Sequence, residues 1–193
     1  LYSTACVYGG PSDTLDDCGN VSSAIGSGAG TAAGASYDIG NGFTAAVGYT
    51  GDGATTNGLM TKEGLDSYGA QVSYAADSFG ASVTYADVES SDDTTYWGLN
   101  GYWTPSESGA MPSISVGYEI GDPTTAVDTT SYFVGLQWDE AGPGTFGTAI
   151  GTKTPTNDGG EELLMYEAFY SYPLNDGMTI TPLVYIKEYT GDT

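Results

Sequence analysis

Apolar and small or polar residues alternate along most of this chain. Between residues 67 and 86, the stretch SYGAQVSYAADSFGASVTYA places aromatic, Val and Ala side chains at every second position, with mostly Gly, Ser, Thr and Gln between them. A period of two residues is typical of β-strands, whose successive side chains point to opposite faces. The stretch therefore predicts a β-hairpin with one apolar and one polar face.

The same alternation recurs along the chain and predicts about eleven strands. Helical signals are almost missing, since the Ala-containing stretch at 22–34 is interrupted by Gly throughout. The predicted strands cover residues 2–8, 30–38, 43–50, 67–76, 79–88, 95–104, 113–121, 131–139, 145–152, 163–173 and 178–188.

The connections between these strands alternate in length. Short turns such as DIGNG (38–42) alternate with longer acidic loops such as VESSDDTT (88–95). Strands joined this way form an antiparallel up-and-down sheet with short turns at one end and long loops at the other. A jelly roll or Greek key would need long crossovers at less regular places. The prediction is an all-β, up-and-down transmembrane β-barrel.

Pro182 lacks an N–H and predicts an edge, a bulge or a truncated strand.

Aromatic residues recur six positions apart on the apolar face. Six residues span about 20 Å along a strand, and a strand tilt of about 40° reduces this to roughly 15 Å of height. Between the aromatics lie Ala, Val, Leu and Gly, as expected where a strand crosses a bilayer and Trp or Tyr marks both interfaces. The predicted aromatic girdle consists of Phe43, Tyr49, Tyr68, Tyr74, Phe79, Tyr85, Trp97, Trp103, Tyr132, Trp138, Tyr166 and Tyr172.

The opposite face is polar, with four charged positions, namely Glu119, Asp139, Glu167 and Lys187. Because an unpaired buried charge costs several kcal/mol, this face suits a water-filled lumen better than a dry core. These four residues are candidate pore-lining charges that favour cations or neutral solutes. Ordinary solvent-facing charges are the alternative. A soluble β-sandwich also explains the alternation, but not the aromatics at both ends of each strip.

Composition removes several classes of function. The chain of 193 residues has 3 Lys, 25 acidic residues, no Arg and no His, which gives a net charge of −22. Without imidazole or guanidinium groups, His chemistry and bidentate anion recognition are excluded. A chain this acidic repels nucleic acid. No run of apolar residues approaches the length of a membrane helix.

Cys6 and Cys18 are the two cysteines. A disulfide between them would close a short loop, is worth about 3 kcal/mol in the chain-entropy model, and implies an oxidising compartment. Two free buried thiols are the alternative. No metal site is predicted, because two Cys without His make a poor zinc site. No cofactor is expected, apart from weak Ca²⁺ or Mg²⁺ binding at acidic loops, which otherwise act as solvated, self-repelling segments.

Two other classes of function compete with a membrane channel. Glu119 and Glu167 share a face and raise the possibility of a jelly-roll glycoside hydrolase. That likeness is compositional only, and no catalytic residue is predicted. A secreted, acidic β-sheet protein with a structural or adhesive role, whose loops are bridged by cations, is the other alternative.

Several segments resemble the C-terminal half of cyanobacterial outer-membrane porins. They include GASYDIGNGFTAAVGYTGDGA (34–54), SYGAQVSYAADSFGASVTYAD (67–87) and, most specifically, YEAFYSYPLNDGMTITPLVYIKE (166–188). The likeness covers nearly the whole chain and is greatest to porins of marine picocyanobacteria, which are grouped with carbohydrate-selective or iron-uptake porins. It implies a trimeric barrel of roughly 16 strands in the cell outer membrane.

The resemblance also sets expectations for the rest of the protein. It implies passive diffusion of small hydrophilic solutes or ions, contact with the lipid bilayer, and an upstream S-layer-homology domain that binds a peptidoglycan-linked polymer. That domain, a signal peptide and the final strand of such porins are expected to lie outside residues 1–193. Residues 1–193 are therefore expected to form a single β-barrel domain from a longer porin, rather than an enzyme.

Overall fold

The computed structural model describes residues 7–8, 21, 31–51, 65–89, 92–106 and 109–191. Among these residues the regular elements are all β-strands. They are β1 (Thr31–Gly40), β2 (Phe43–Gly51), β3 (Asp66–Ala75), β4 (Phe79–Val88), β5 (Thr94–Trp103), β6 (Ser113–Pro123), β7 (Thr129–Ala141), β8 (Gly144–Thr152), β9 (Thr156–Asn157), β10 (Leu164–Asn175), β11 (Met178–Ile180) and β12 (Leu183–Lys187).

All twelve strands belong to one antiparallel sheet in which strands adjacent in sequence are adjacent in space. The exceptions are β9, which pairs with β7, and β12, which pairs with β10 beside β11. Within the described strands, register shifts occur only next to short turns, between Asp38 and Gly40, Trp138 and Ala141, and Pro173 and Asn175. The middle of every long strand therefore keeps one register. The predicted all-β, up-and-down fold is confirmed.

The sheet is open at both edges in the part of the chain that is described. There, β1 pairs only with β2, and β11 and β12 pair only with β10. This open sheet agrees with the prediction of a partial barrel. No helix within the described ranges is long and apolar enough to cross a membrane.

Turn chemistry at residues 40–42 explains the first hairpin. Gly40, Asn41 and Gly42 have φ values of 92°, 55° and 86°, a left-handed region that Gly adopts freely and Asn tolerates. The Asp38 carboxylate accepts a hydrogen bond of 2.8 Å from the Gly40 amide. The carbonyl of Gly42 accepts one of 2.9 Å from Ala75 of β3, so this turn also packs against the next strand.

The longer loops at the other end of the sheet are hydrogen-bonded to one another. The Asp92 carboxylate accepts bonds of 2.9 Å from the amide and the hydroxyl of Thr125, and one of 3.1 Å from the Ala126 amide. The Asp158 amide donates to the Asp128 carbonyl at 2.7 Å. These bonds connect the β4–β5, β6–β7 and β8–β10 loops to one another.

Pro182 interrupts the last strand as predicted. Tyr172 pairs with Ile180 and Phe169 pairs with Leu183, so β11 and β12 keep one register across the break. The Pro182 carbonyl still accepts a bond of 3.1 Å from the Tyr170 amide. The missing N–H of proline thus shortens the strand without shifting it.

Most of the other predicted boundaries agree with the structure within two residues. The strand predicted at 2–8 is wrong where it is described, because Val7 and Tyr8 form a bend. The rest of that stretch lies outside the described residues. The short β9 was not predicted, because it consists of two residues inside an acidic loop.

Replacing Gly42 by Ala should destabilise the sheet more than replacing Gly40 by Ala. Both changes place a Cβ at positive φ, which costs about 1–2 kcal/mol. Only at Gly42 would the Cβ also collide with the carbonyl oxygen of Ala75, whereas Gly40 has open space around it. Urea unfolding of the two variants in detergent micelles measures the difference. Equal midpoints would contradict the packing of this turn against β3.

Candidate functional site

The apolar face of the sheet is exposed and the polar face is buried, which is the reverse of the arrangement in a soluble protein. The apolar face carries Val72 and Val83, whose side chains are 51% and 44% exposed. The polar face carries Gln71 and Thr84, which are both 5% exposed. Water normally drives apolar side chains inward, so a sheet with this arrangement presents its apolar face to a non-aqueous environment.

No second layer covers the apolar face within the described ranges, where every strand lies in the one sheet. Val116 of β6 and Leu99 of β5 are 45% and 59% exposed on it. A soluble β-sandwich would bury such residues between two sheets. The arrangement therefore favours the membrane interpretation of the alternation over the sandwich.

Hydrogen bonds and aromatic rings fill the polar face. The Gln71 amide donates to the Thr84 hydroxyl at 2.8 Å, and the Asn100 amide donates to the Ser82 hydroxyl at 3.3 Å. These pairs join neighbouring strands and satisfy polar groups with little access to solvent. Rings also lie over glycines of adjacent strands on this face, Tyr102 over Gly80, Tyr96 over Gly121 and Phe169 over Gly147.

The structure places all twelve predicted girdle residues on the apolar face, in two rows. One row lies at the end with the short turns and comprises Phe43, Tyr74, Phe79, Trp103, Trp138 and Tyr172. The other lies at the end with the long loops and comprises Tyr49, Tyr68, Tyr85, Trp97, Tyr132 and Tyr166.

Several neighbouring rings within each row are in contact. Phe43 and Tyr74 have ring centroids 4.7 Å apart, and those of Tyr85 and Trp97 are 4.9 Å apart. Since the strands keep one register, the rows are about 20 Å apart along the strands. Ring contacts between neighbouring strands thus stabilise parts of both rows.

Sequence reasoning missed two members of the row at the short turns. Phe146 packs on Trp138 at 5.7 Å between ring centroids, and Tyr170, its register partner on β10, donates a hydrogen bond of 2.8 Å to the Ala141 carbonyl. Neither has an aromatic partner six positions away on its own strand. Cross-strand pairing, which the sequence alone does not give, identifies them.

Carboxylates accept hydrogen bonds from phenols in the row at the long loops. The Tyr49 hydroxyl donates to Asp66 at 2.6 Å, and the Tyr166 hydroxyl donates to Glu188 at 3.4 Å. Glu188 also accepts from the Leu164 amide at 2.9 Å. The polar tips of these rings therefore point toward the acidic loops, as expected for amphipathic side chains at an interface.

The four candidate pore-lining charges all lie on the polar face. Glu119 and Glu167 are buried there, at 5% and 3% exposure. Lys187 pairs with Met165 and is thus a diagonal neighbour of Glu167, within reach of a long side chain. Asp139 is exposed at the short-turn end of β7, where its carboxylate accepts a bond of 2.7 Å from the Gln137 amide.

Glu119 and Glu167 are too far apart to act as a glycosidase pair. Glu167 lies in the ladder row of Ala149, Gly135 and Ser115. That row crosses β6 four residues from Glu119 and three strands from Glu167, a separation of roughly 20 Å along the sheet. Paired glycosidase carboxylates are about 5–10 Å apart. The geometry therefore does not support the hydrolase alternative.

Tyr8 and Val21, which precede β1, lie against the polar face. The Tyr8 amide donates to the Ser115 hydroxyl at 3.1 Å, and that hydroxyl donates to the Tyr8 carbonyl at 2.7 Å. Val21 is buried in an apolar cluster with Phe133, Ala149 and Met165. Sequence reasoning missed both contacts, because nothing in the local pattern links a residue before the first strand to a distant one.

The predicted disulfide between Cys6 and Cys18 lies outside the described residues. Where the chain is described, no three Asp, Glu, Cys or His side chains come together in a group that would hold a metal ion. Weak binding of Ca²⁺ or Mg²⁺ at the acidic loops stays a prediction.

The model of one protein family, described as Gram-negative porin, matches residues 4–192. The chain belongs to this family. Searches of the curated proteins and of the solved structures found no match. The porin family consists of outer-membrane channels, and its single antiparallel sheet with an apolar outer surface agrees with the faces described above.

Replacing Val72 of the porin by Lys should be far more damaging than replacing the adjacent Ser73 by Lys. Val72 lies on the apolar face between Tyr68 and Tyr74, and Ser73 lies on the polar face. Lysine at the bilayer midplane of a β-barrel costs about 2–4 kcal/mol. Denaturant unfolding in liposomes measures both variants. A larger loss for the Ser73 variant would contradict the assignment of the apolar face to lipid.

Proposed function

We propose that this porin forms a water-filled channel in the outer membrane through which small hydrophilic solutes and ions diffuse passively. One observation carries the proposal, namely the sheet whose exposed face is apolar and whose opposite face is polar. Lipid favours the first face and an aqueous passage favours the second. The chain contributes a wall, and solutes are selected by size and charge.

The long loops are proposed to face the cell exterior and the short turns the periplasm, as in bacterial outer-membrane barrels. Many of the acidic side chains at the long-loop end are exposed, among them Asp93, Asp122, Asp128, Asp158 and Glu162. Together with the net charge of −22, they create a negative potential that concentrates cations at this mouth. We therefore expect a preference for cations and neutral solutes over anions.

The polar face supports the same preference along the wall. Glu119, Asp139 and Glu167 outnumber Lys187 on it, and neutral Ser, Thr, Asn and Gln side chains make up much of the remainder. A wall of this kind binds no solute strongly, which diffusion requires. Selectivity for carbohydrates or for iron is a narrower form of the proposal that rests on the resemblance to cyanobacterial porins alone.

The assembly of the channel is also a proposal. A homotrimer embedded in the bilayer, and attachment to a peptidoglycan-linked polymer through an upstream domain, follow from the same resemblance. A trimer would be recognised in detergent as a band that dissociates on heating.

Single-channel recording in planar lipid bilayers tests the channel directly. The full-length protein, purified in detergent, should give stepwise currents, and a salt gradient should give a reversal potential of the sign expected for cation preference. The control for folding is migration in detergent as a band that shifts on heating. A protein that passes this control and gives no current would refute the proposed function.

Replacing Asp139 by Asn should lower the cation preference, because it removes an exposed negative charge from the polar face. The effect should be clear at about 0.1 M salt, where the Debye length is about 10 Å, and weak at about 1 M, where it is about 3 Å. Asp87→Asn is the matched control, since Asp87 pairs with Tyr68 on the apolar face. An equal shift in reversal potential for both variants would contradict a role of the polar face in selectivity.

A further inference from the structure

The Ser115 side chain acts toward Tyr8 as a strand backbone would. Its hydroxyl accepts from the Tyr8 amide at 3.1 Å and donates to the Tyr8 carbonyl at 2.7 Å. A hydroxyl has one donor and two acceptor sites, so one serine can satisfy both backbone groups of a residue. Ser115 is fully buried at 0% exposure, and water therefore does not compete with these bonds.

Gly135 provides the space that this contact needs. It is the register partner of Ser115 on β7, and a Cβ at this position would collide with the Tyr8 carbonyl oxygen. The next residue in the same ladder row, Ala149 of β8, is also small. The Tyr8 backbone can therefore approach the sheet closely only at a position where one strand offers a hydroxyl and its neighbour offers no side chain.

The Tyr8 side chain has partners of its own on the same face. Its ring lies 6.2 Å from that of Tyr102, in an edge-to-face arrangement at 72°, and its hydroxyl is 2.7 Å from the Thr104 hydroxyl. Tyr102 in turn lies over Gly80. Tyr8 is thus fixed by its backbone and by both ends of its side chain, across β5, β6 and β7.

We propose that Ser115 and Gly135 are positioning residues that hold Tyr8 against the polar face, and that Tyr8 held in this way narrows the passage. The inference rests on the proposed channel function, because the polar face is the wall that solutes meet. An aromatic residue attached to that wall takes up cross-section that water and ions would otherwise use. Releasing it should widen the passage without altering the sheet.

Two variants and one control test this inference in the full chain. Ser115→Ala removes both hydrogen bonds, and Gly135→Ala introduces the collision. Ser113→Ala is the matched control, because Ser113 is buried on the same face of β6 and is not a partner of Tyr8. Both test variants should give a larger single-channel conductance than the wild-type chain, and the control should equal the wild type.

Hydrogen exchange gives a second measurement that does not depend on conduction. The peptide containing Tyr8 should exchange at least roughly fivefold faster in Ser115→Ala than in Ser113→Ala, which corresponds to the loss of the one bond that the Tyr8 amide donates. Peptides from β3 and β4 should exchange at unchanged rates, which shows that the sheet is intact.

The outcomes separate this inference from the proposed function. A wild-type chain that does not conduct overturns the channel, and the exchange rate at Tyr8 then decides whether Ser115 holds it. If the wild-type protein conducts, and Ser115→Ala and Gly135→Ala equal it and the Ser113→Ala control in conductance and in exchange at Tyr8, the inference is overturned. The proposed channel function is then unaffected.

Discussion

The structure depends on one constraint, which is that a backbone facing hydrocarbon must form all its hydrogen bonds within the protein. An unbroken antiparallel ladder satisfies this constraint along β1 to β10. Because a slip of one residue would exchange the two faces of a strand, the ladder also decides which side chains meet lipid. The register shifts next to Asp38, Trp138 and Pro173 all lie beside short turns, where they do not disturb the apolar band.

Given that ladder, the two faces follow different packing rules. The apolar face is stabilised by contact with lipid and by ring contacts between strands, such as those of Tyr49 with Tyr68 at 5.4 Å. The polar face is stabilised by side-chain hydrogen bonds and by aromatic rings that lie over glycines of adjacent strands. Rings placed in this way lie close to the backbone of the sheet. Small residues on the polar face therefore have a structural purpose, since they leave room for chain that lies against the wall.

Much of the fold could be predicted because strand signals are local. The strand predicted at 79–88 has the bounds observed for β4, Phe79–Val88, and the break at Pro182 follows from its missing N–H. The girdle could be predicted from a spacing of six residues within single strands. Phe146 could not, because its partner Trp138 lies on the next strand. The burial of Glu119 and Glu167 could not be predicted either, because alternation along a strand assigns a residue to a face and does not say how exposed that face is.

The sequence by itself determined the strands, their two faces and the alternation of short and long connections, because each depends on neighbours a few positions away. Only the tertiary structure decided that Tyr8 meets Ser115, 107 positions later, and that Val21 joins Phe133 and Met165. Together these contacts depend on the pairing of β5, β6, β7, β8 and β10. No local pattern carries that information, since a hydroxyl at position 115 and a glycine at 135 become adjacent only after β6 and β7 have paired.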